Sequence, residues 1–171
     1  MPILSTMGLK KIYVTPAGTT AGVMPAKGAA WLDLGDVYKD TCTLKDDDVE
    51  VTQHKSETSS KVITLMGEYV TTVELTLMDP DLDLMARYFG GTVSGTKPKR
   101  KWLRPRKPVY KEWAVWMQPE EGLYIGCPNV CITPKFEITY SAKGICLAPM
   151  KVTFQDSLTV DEGMTDPTKA E

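Results

Sequence analysis

Between positions 69 and 78 the chain alternates. Tyr69, Thr71, Val73, Leu75 and Leu77 fall on one face, and Val70, Thr72, Glu74, Thr76 and Met78 on the other. Period-two patterning with β-branched residues predicts a half-buried strand. The period then changes. Asp79 is placed to cap a helix, Pro80 suits its first position, and Asp81 and Asp83 stand where the helix dipole favours negative charge. Leu82, Met85, Ala86 and Phe89 follow at helical spacing and make one apolar stripe. Arg87 falls in the last turn, and Gly90-Gly91 can supply a left-handed C-terminal cap. The spacing predicts a helix over about 80–90.

The same reading along the chain gives strands near 9–14, 31–38, 39–45, 61–66, 109–117, 130–140 and 147–155. In 130–140, Ile132, Phe136, Ile138 and Tyr140 oppose Thr133, Lys135, Glu137 and Thr139. The stretch 15–30 is rich in turn formers and almost uncharged, which predicts a loop or an interface segment. Residues 46–60 are polar and charge-rich, and predict a long loop or a hairpin projecting from the body. Three prolines and a basic run over 92–108 exclude regular structure there, on this reading. Residues 1–8 read as an N-terminal arm and 157–171 as a polar, acidic C-terminal extension. The expectation is one mainly β domain over 1–171: an antiparallel β-sandwich or barrel with one short flanking helix and extended loops.

Composition changes little in this picture. At 171 residues, 42% hydrophobic and 25% charged, the chain is of ordinary globular type. A net charge of −2 gives no global pull toward nucleic acid or an anionic membrane. No apolar run reaches the roughly 18 residues of a spanning helix, and the start lacks the pattern of a signal peptide, so no membrane insertion is expected. The four cysteines, Cys42, Cys127, Cys131 and Cys146, are too sparse for a disulfide framework and are expected to be buried and inert.

Candidate chemistry is thin. Asp79-Pro80-Asp81-Leu82-Asp83 opens like a calcium loop, but Leu84 and Gly90 stand where that loop needs Gly and Glu. There is no phosphate-binding glycine loop and no Gly-x-Ser-x-Gly elbow, and the single histidine, His54, has nothing nearby in sequence to orient it. No metal, cofactor or catalytic activity is expected. Two charge runs remain. Asp46, Asp47, Asp48 and Glu50 form an acidic run, read as a solvated tip unless a basic partner meets it. Lys97, Lys99, Arg100, Lys101, Arg104, Arg106 and Lys107 put seven positive charges in eleven residues around Trp102. Basic residues interleaved with an aromatic can bind phosphate and stack a base, so a nucleic-acid-binding β-barrel using 97–107 is one reading. A surface loop that meets an acidic neighbour is the other.

The order of features WLDLGDVYKDTCTL, a polar excursion over 45–60, then GEYVTTVELTLMDPDLDLMARYFGG, resembles the tail tube (major tail) proteins of long-tailed bacteriophages. Those proteins are related in layout to the tubes of contractile tails and of type VI secretion. The resemblance implies a structural virion protein, made in the host bacterial cytoplasm and assembled into the tail. It implies homohexameric rings stacked head to tail, with a channel through which DNA passes without specific binding. Tape measure, tail terminator and baseplate or tip proteins are the further partners it implies. Open sandwich edges, a liability for a monomer, suit a ring. Asp46, Asp47, Asp48 and Glu50 are then candidates to meet Lys99, Arg100, Lys101, Arg104 and Arg106 of a neighbouring subunit. Thr72, Glu74, Thr76, Thr133, Lys135, Glu137 and Thr139 are short or hydrophilic, and suit a water-filled lumen or plain solvent exposure.

Overall fold

A computed structural model of the chain describes residues 7–28 and 30–169. The elements in order are β1 (Met7–Pro16), β2 (Leu32–Asp33), β3 (Thr43–Asp46), β4 (Val51–Lys55), β5 (Val62–Met66), β6 (Thr71–Met78) and α1 (Leu82–Phe89). Then come β7 (Thr92–Ser94), β8 (Lys101–Leu103), β9 (Glu112–Glu121), β10 (Tyr124–Pro134), β11 (Glu137–Ile138), β12 (Cys146–Phe154) and β13 (Thr159–Asp161). One antiparallel sheet runs β2-β1-β9-β10-β12-β6-β3, with β11 on β12 and β13 on β10. It does not close. It wraps one core as a sandwich whose free edges are β2 and β3.

Alternation explains the core. Val73, Leu75 and Leu77 of β6 meet Ile12 and Val14 of β1, Val115 of β9, Val130 and Ile132 of β10, and Met150 and Val152 of β12. Strand β9 is buried on both faces. Trp113, Val115 and Met117 enter the main core, while Ala114 and Trp116 join Tyr13 and Trp31 in a second cluster on the outside. Residues 17–28 and 30–31 help to cover that outer face, with the Trp31 indole donating to the Ala26 carbonyl at 3.0 Å. The C-terminal segment completes the cover. Met164 packs there, Pro167 is buried and accepts from the Gly28 amide at 3.0 Å, and β13 pairs with β10 along 124–126.

The helix is capped, two residues later than the sequence suggests. Asp81, not Asp79, is the N-cap: its carboxylate accepts from the Leu84 amide at 2.8 Å. Asp79 has a φ of 45° and closes the end of β6, its amide donating to the Cys146 carbonyl at 2.9 Å. Gly90, with a φ of 81°, ends the helix and donates to the Ala86 carbonyl at 3.1 Å. Met85, Tyr88 and Phe89 form the buried face, against β10, β7 and β8.

Several predicted spans change. The strand expected over 31–38 shrinks to β2 and a single bridge between Val37 and Leu77, and that over 39–45 to β3. Residues 92–108 are not irregular: β7 and β8 form a hairpin there, with Pro98 in its turn and Pro105 and Pro108 beyond it, so no proline amide is needed in the ladder. The strand over 130–140 ends at Pro134, and β11 is a separate short piece. Of the C-terminal extension, Met164 packs on the outer cluster and β13 pairs with β10. Of the N-terminal arm, 1–6 lie outside the described residues, and Met7 and Gly8 already belong to β1.

Candidate assembly site

Residues 43–78 form one β-ribbon with two halves. In the inner half β3 pairs with β6, Thr43 opposite Glu74 through Asp46 opposite Thr71. In the outer half β4 pairs with β5, Val51 opposite Met66 through Lys55 opposite Val62, and the Ser56 amide donates to the Lys61 carbonyl at the tip. Between the halves lies a short joint, bridged from Asp47 N–H to Val70 O and from Gly67 N–H to Glu50 O, both at 2.8 Å. The expected projection is therefore a hairpin. Among the described elements, β4 and β5 pack on each other and on nothing else.

That isolation leaves apolar surface bare. Every residue of β4 and β5 is exposed, including Val51, Val62, Ile63, Leu65 and Met66 (69%), and Tyr69 beside the joint is 75% exposed. Directly opposite residues share a face. Ile63 and Leu65 thus stand with His54 and Thr52 on one side, and Val62 and Met66 with Lys55 and Val51 on the other. A two-stranded hairpin alone is marginal in water, and contiguous exposed apolar side chains mark an interaction surface. No charge run or catalytic motif marks these residues in the sequence. Their only signal was an apolar run, VITLM, opposite a polar strand, VTQHK.

The acidic run sits at the root of this hairpin. Asp46 ends β3 and its carboxylate accepts from the Thr71 hydroxyl. Asp47, Asp48 and Glu50 are exposed in the joint, and no described cation reaches their carboxylates.

The basic run is held against the helix. Arg100 pairs with Asp83 of α1 through both terminal guanidinium nitrogens, and this charge-assisted contact pulls the Asp83 carboxyl below its ordinary range. Trp102 points inward. Its indole N–H donates to the Gly90 carbonyl at 3.0 Å, and its ring packs edge-on to Phe89 with centroids 5.7 Å apart. The Arg104 guanidinium lies 5.2 Å from the Phe89 ring centre. Lys99, Lys101 and Arg106 remain exposed. Gly91 is required for this docking: with a φ of 92°, a Cβ there would stand 2.1 Å from the Leu103 carbonyl oxygen.

Most of the proposed lumen residues share one polar sheet face. Thr43, Glu74, Lys151 and Thr133 form a row across β3, β6, β12 and β10, with Lys45 3.3 Å from Glu74. Thr72 lies in the next row, opposite Thr153 and Lys45, yet it is only 2% exposed. Thr76 is half-buried where residues 38–41 cross the sheet edge: its amide donates to the Thr41 hydroxyl. Glu137 is exposed on β11 and stands in a row with Leu147 and Met78. Lys135 is exposed between β10 and β11, and Thr139 is exposed beyond β11, in a turn outside the sheet.

All four cysteines are free thiols, and burial pushes Cys42, Cys127 and Cys146 above the ordinary thiol range. Cys127 is fully buried and donates to the Asn129 carbonyl at 3.1 Å. Among the described residues no group of three His, Cys, Asp or Glu is placed to hold a metal, and no helix is long and apolar enough to cross a membrane.

No protein-family model matches the sequence, and no curated protein matches it. Solved structures do resemble it. A chain from the tail of an empty GTA particle with C6 symmetry is 14% identical, with 87% of this chain and 92% of that one covered and a TM-score of 0.46. A chain of the PVC extracellular contractile injection system, in its sheath–tube complex, is 9% identical over 91% and 90%, at 0.38. A chain of the tube-terminating cap of the anti-feeding prophage is 11% identical over 94% of each chain, at 0.39.

Proposed function

We propose that this chain is a tail tube subunit, a structural protein whose copies join side by side into rings that stack head to tail. The observation that supports it best is the bare β4–β5 hairpin: a projecting ribbon with apolar side chains on both faces and no cover from any other described element. Such a hairpin gains stability only when another surface closes over it. The free β3 edge beside its root offers a second joint of the kind that extends a sheet between subunits. Six copies per ring, DNA passing along the channel, and contacts with tape measure, terminator and baseplate proteins come with the family resemblance. In this reading the polar face carrying Glu74, Thr76, Thr133, Lys135 and Glu137, with Thr72 beneath it and Thr139 at its margin, lines the channel. The protein works in the virion tail and performs no chemistry.

Nucleic-acid binding by the 97–107 run has less support, because Trp102, the aromatic that would stack a base, is packed on Phe89. Negative-stain microscopy of the purified protein tests the proposal. Rings or hollow tubes are expected; a monodisperse monomer at high concentration would overturn it.

A further inference from the structure

A small hollow lies between the 104–110 segment and the end of β10. It has a volume of about 180 Å³, with apolar Phe89, Val109 and Ile132 in its lining and Arg104, Arg106 and Lys107 contributed by the adjoining segment. None of its lining residues is acidic. Among the described residues, Arg106 and Lys107 make no ion pair, and Arg104 rests on the Phe89 ring. An apolar hollow with three uncompensated cations fits a ligand that brings aliphatic and anionic groups together.

The chain itself carries such a ligand. Residues 46–51 read Asp-Asp-Asp-Val-Glu-Val, four carboxylates around two valines, at the joint where the ribbon leaves the body. Val51 is about half exposed, and Asp48 and Glu50 are exposed. We propose that this hollow receives the 46–51 segment of a second copy of the chain, with a valine in the apolar hollow and the carboxylates on Arg104, Arg106 and Lys107. The inference rests on the tail tube reading and names one joint within it. The hollow adjoins β10 and the acidic segment follows β3, with β12 and β6 between them in the sheet. The two surfaces therefore lie apart on one copy, and their contact is heterologous, so it propagates from copy to copy. A nucleic acid is the poorer occupant, because the hollow is apolar and Trp102 is turned away from solvent.

The test uses full-length chains. One carries Lys107→Cys, another Asp48→Cys, and a control carries Val23→Cys, an exposed position that neither lines the hollow nor belongs to 46–51. Under mild oxidation the first two, mixed, are expected to form a disulfide between positions 48 and 107, or between 48 and native Cys131 in the hollow. It should form about tenfold faster than any product with the control, as steering by opposite charges predicts. Arg106→Glu with Lys107→Glu should slow tube growth by a similar factor, and Asp47→Lys with Asp48→Lys in the same chain should restore part of it. Far-ultraviolet circular dichroism verifies that each variant folds. Tubes that form without the cross-link would overturn this joint and leave the tail tube reading standing. If neither tubes nor rings form and no cross-link appears, both fall. A labelled single-stranded oligonucleotide that binds the wild type and is released by the Arg106/Lys107 reversal, with no cross-link, would overturn the joint in favour of a nucleic-acid site.

Discussion

Leu75 and Leu65 stand on the same arm of one ribbon, and the fold buries the first and leaves the second bare: Leu75 is 3% exposed and Leu65 55%. Leu75 is covered by the opposite wall of the sandwich, whereas among the described elements only β4, its hairpin partner, reaches Leu65. The two leucines should therefore respond differently to substitution. Leu75→Ala should destabilise the monomer by about 2–5 kcal/mol, the range for truncating a core leucine. Leu65→Ser should change monomer stability by no more than about 0.5 kcal/mol and yet suppress assembly. Urea denaturation beside a sedimentation assay separates the two. Equal loss of stability in both variants would contradict an uncovered hairpin.

Phe89 joins the helix to the basic hairpin. It is buried, edge-on to both Trp102 and Phe136, and carries Arg104 over its face. Phe89→Ala should cost roughly 3–5 kcal/mol through lost burial and the cavity left behind. A melting temperature close to that of the wild type would show that the helix does not depend on this contact.

Gly126 lets two strands approach a tryptophan. A Cβ at that position would stand 2.5 Å from Trp116 Cε3 and 2.6 Å from the Val115 carbonyl oxygen. Gly126→Ala should cost about 1–3 kcal/mol by overpacking, and the near-ultraviolet circular dichroism of the tryptophans should change. An unchanged spectrum with unchanged stability would mean that the second cluster gives way freely.

Tyr88 predicts an alkaline transition. Its ring packs on Trp113 with centroids 5.6 Å apart, and burial pushes its phenol up to about 12 from an ordinary 10.0, the Arg87 charge opposing. The fold thus holds the proton more tightly than the unfolded chain does. This contribution is whole below pH 10 and is lost as pH rises toward 12, on the order of 2–3 kcal/mol in all. Tyr88→Phe should flatten the fall of stability over that window. A variant that loses stability as steeply as the wild type would place the transition elsewhere.

Asp83 predicts the opposite sense at low pH. Its carboxyl is held below the ordinary range chiefly by the hydrogen bonds from Arg100, so the contact contributes above that range and is lost as pH falls through the lowered value. Limited proteolysis by pepsin at 95–100 should accelerate with falling pH, and Asp83→Asn should be cleaved quickly throughout. Equal cleavage of wild type and variant at the upper end of the pepsin range would remove the pair as an anchor.

Features that depend on near neighbours along the chain were legible in the residues alone. The alternation from Thr71 to Met78 gave β6, and the spacing of Met85 and Phe89 before Gly90 gave the helix, because periodicity and caps act within a few residues. The polar, charge-rich composition of 46–60 also pointed to a loop or hairpin projecting from the body, and the β4–β5 hairpin stands there. Everything that depends on what lies opposite a side chain is set by the fold. Ala114 and Trp116 are buried only because 17–28, 30–31 and Met164 come to cover them. Arg100 meets Asp83, and Trp102 turns to Gly90, only because the β7–β8 hairpin folds back on α1. Thr72 is covered although its pattern reads as solvent-facing, and Ile63 and Leu65 are bare although theirs reads as core. A side chain's pattern shows that it prefers a dry surface. Whether that surface comes from its own chain or from another copy depends on long-range chain paths that no local pattern encodes.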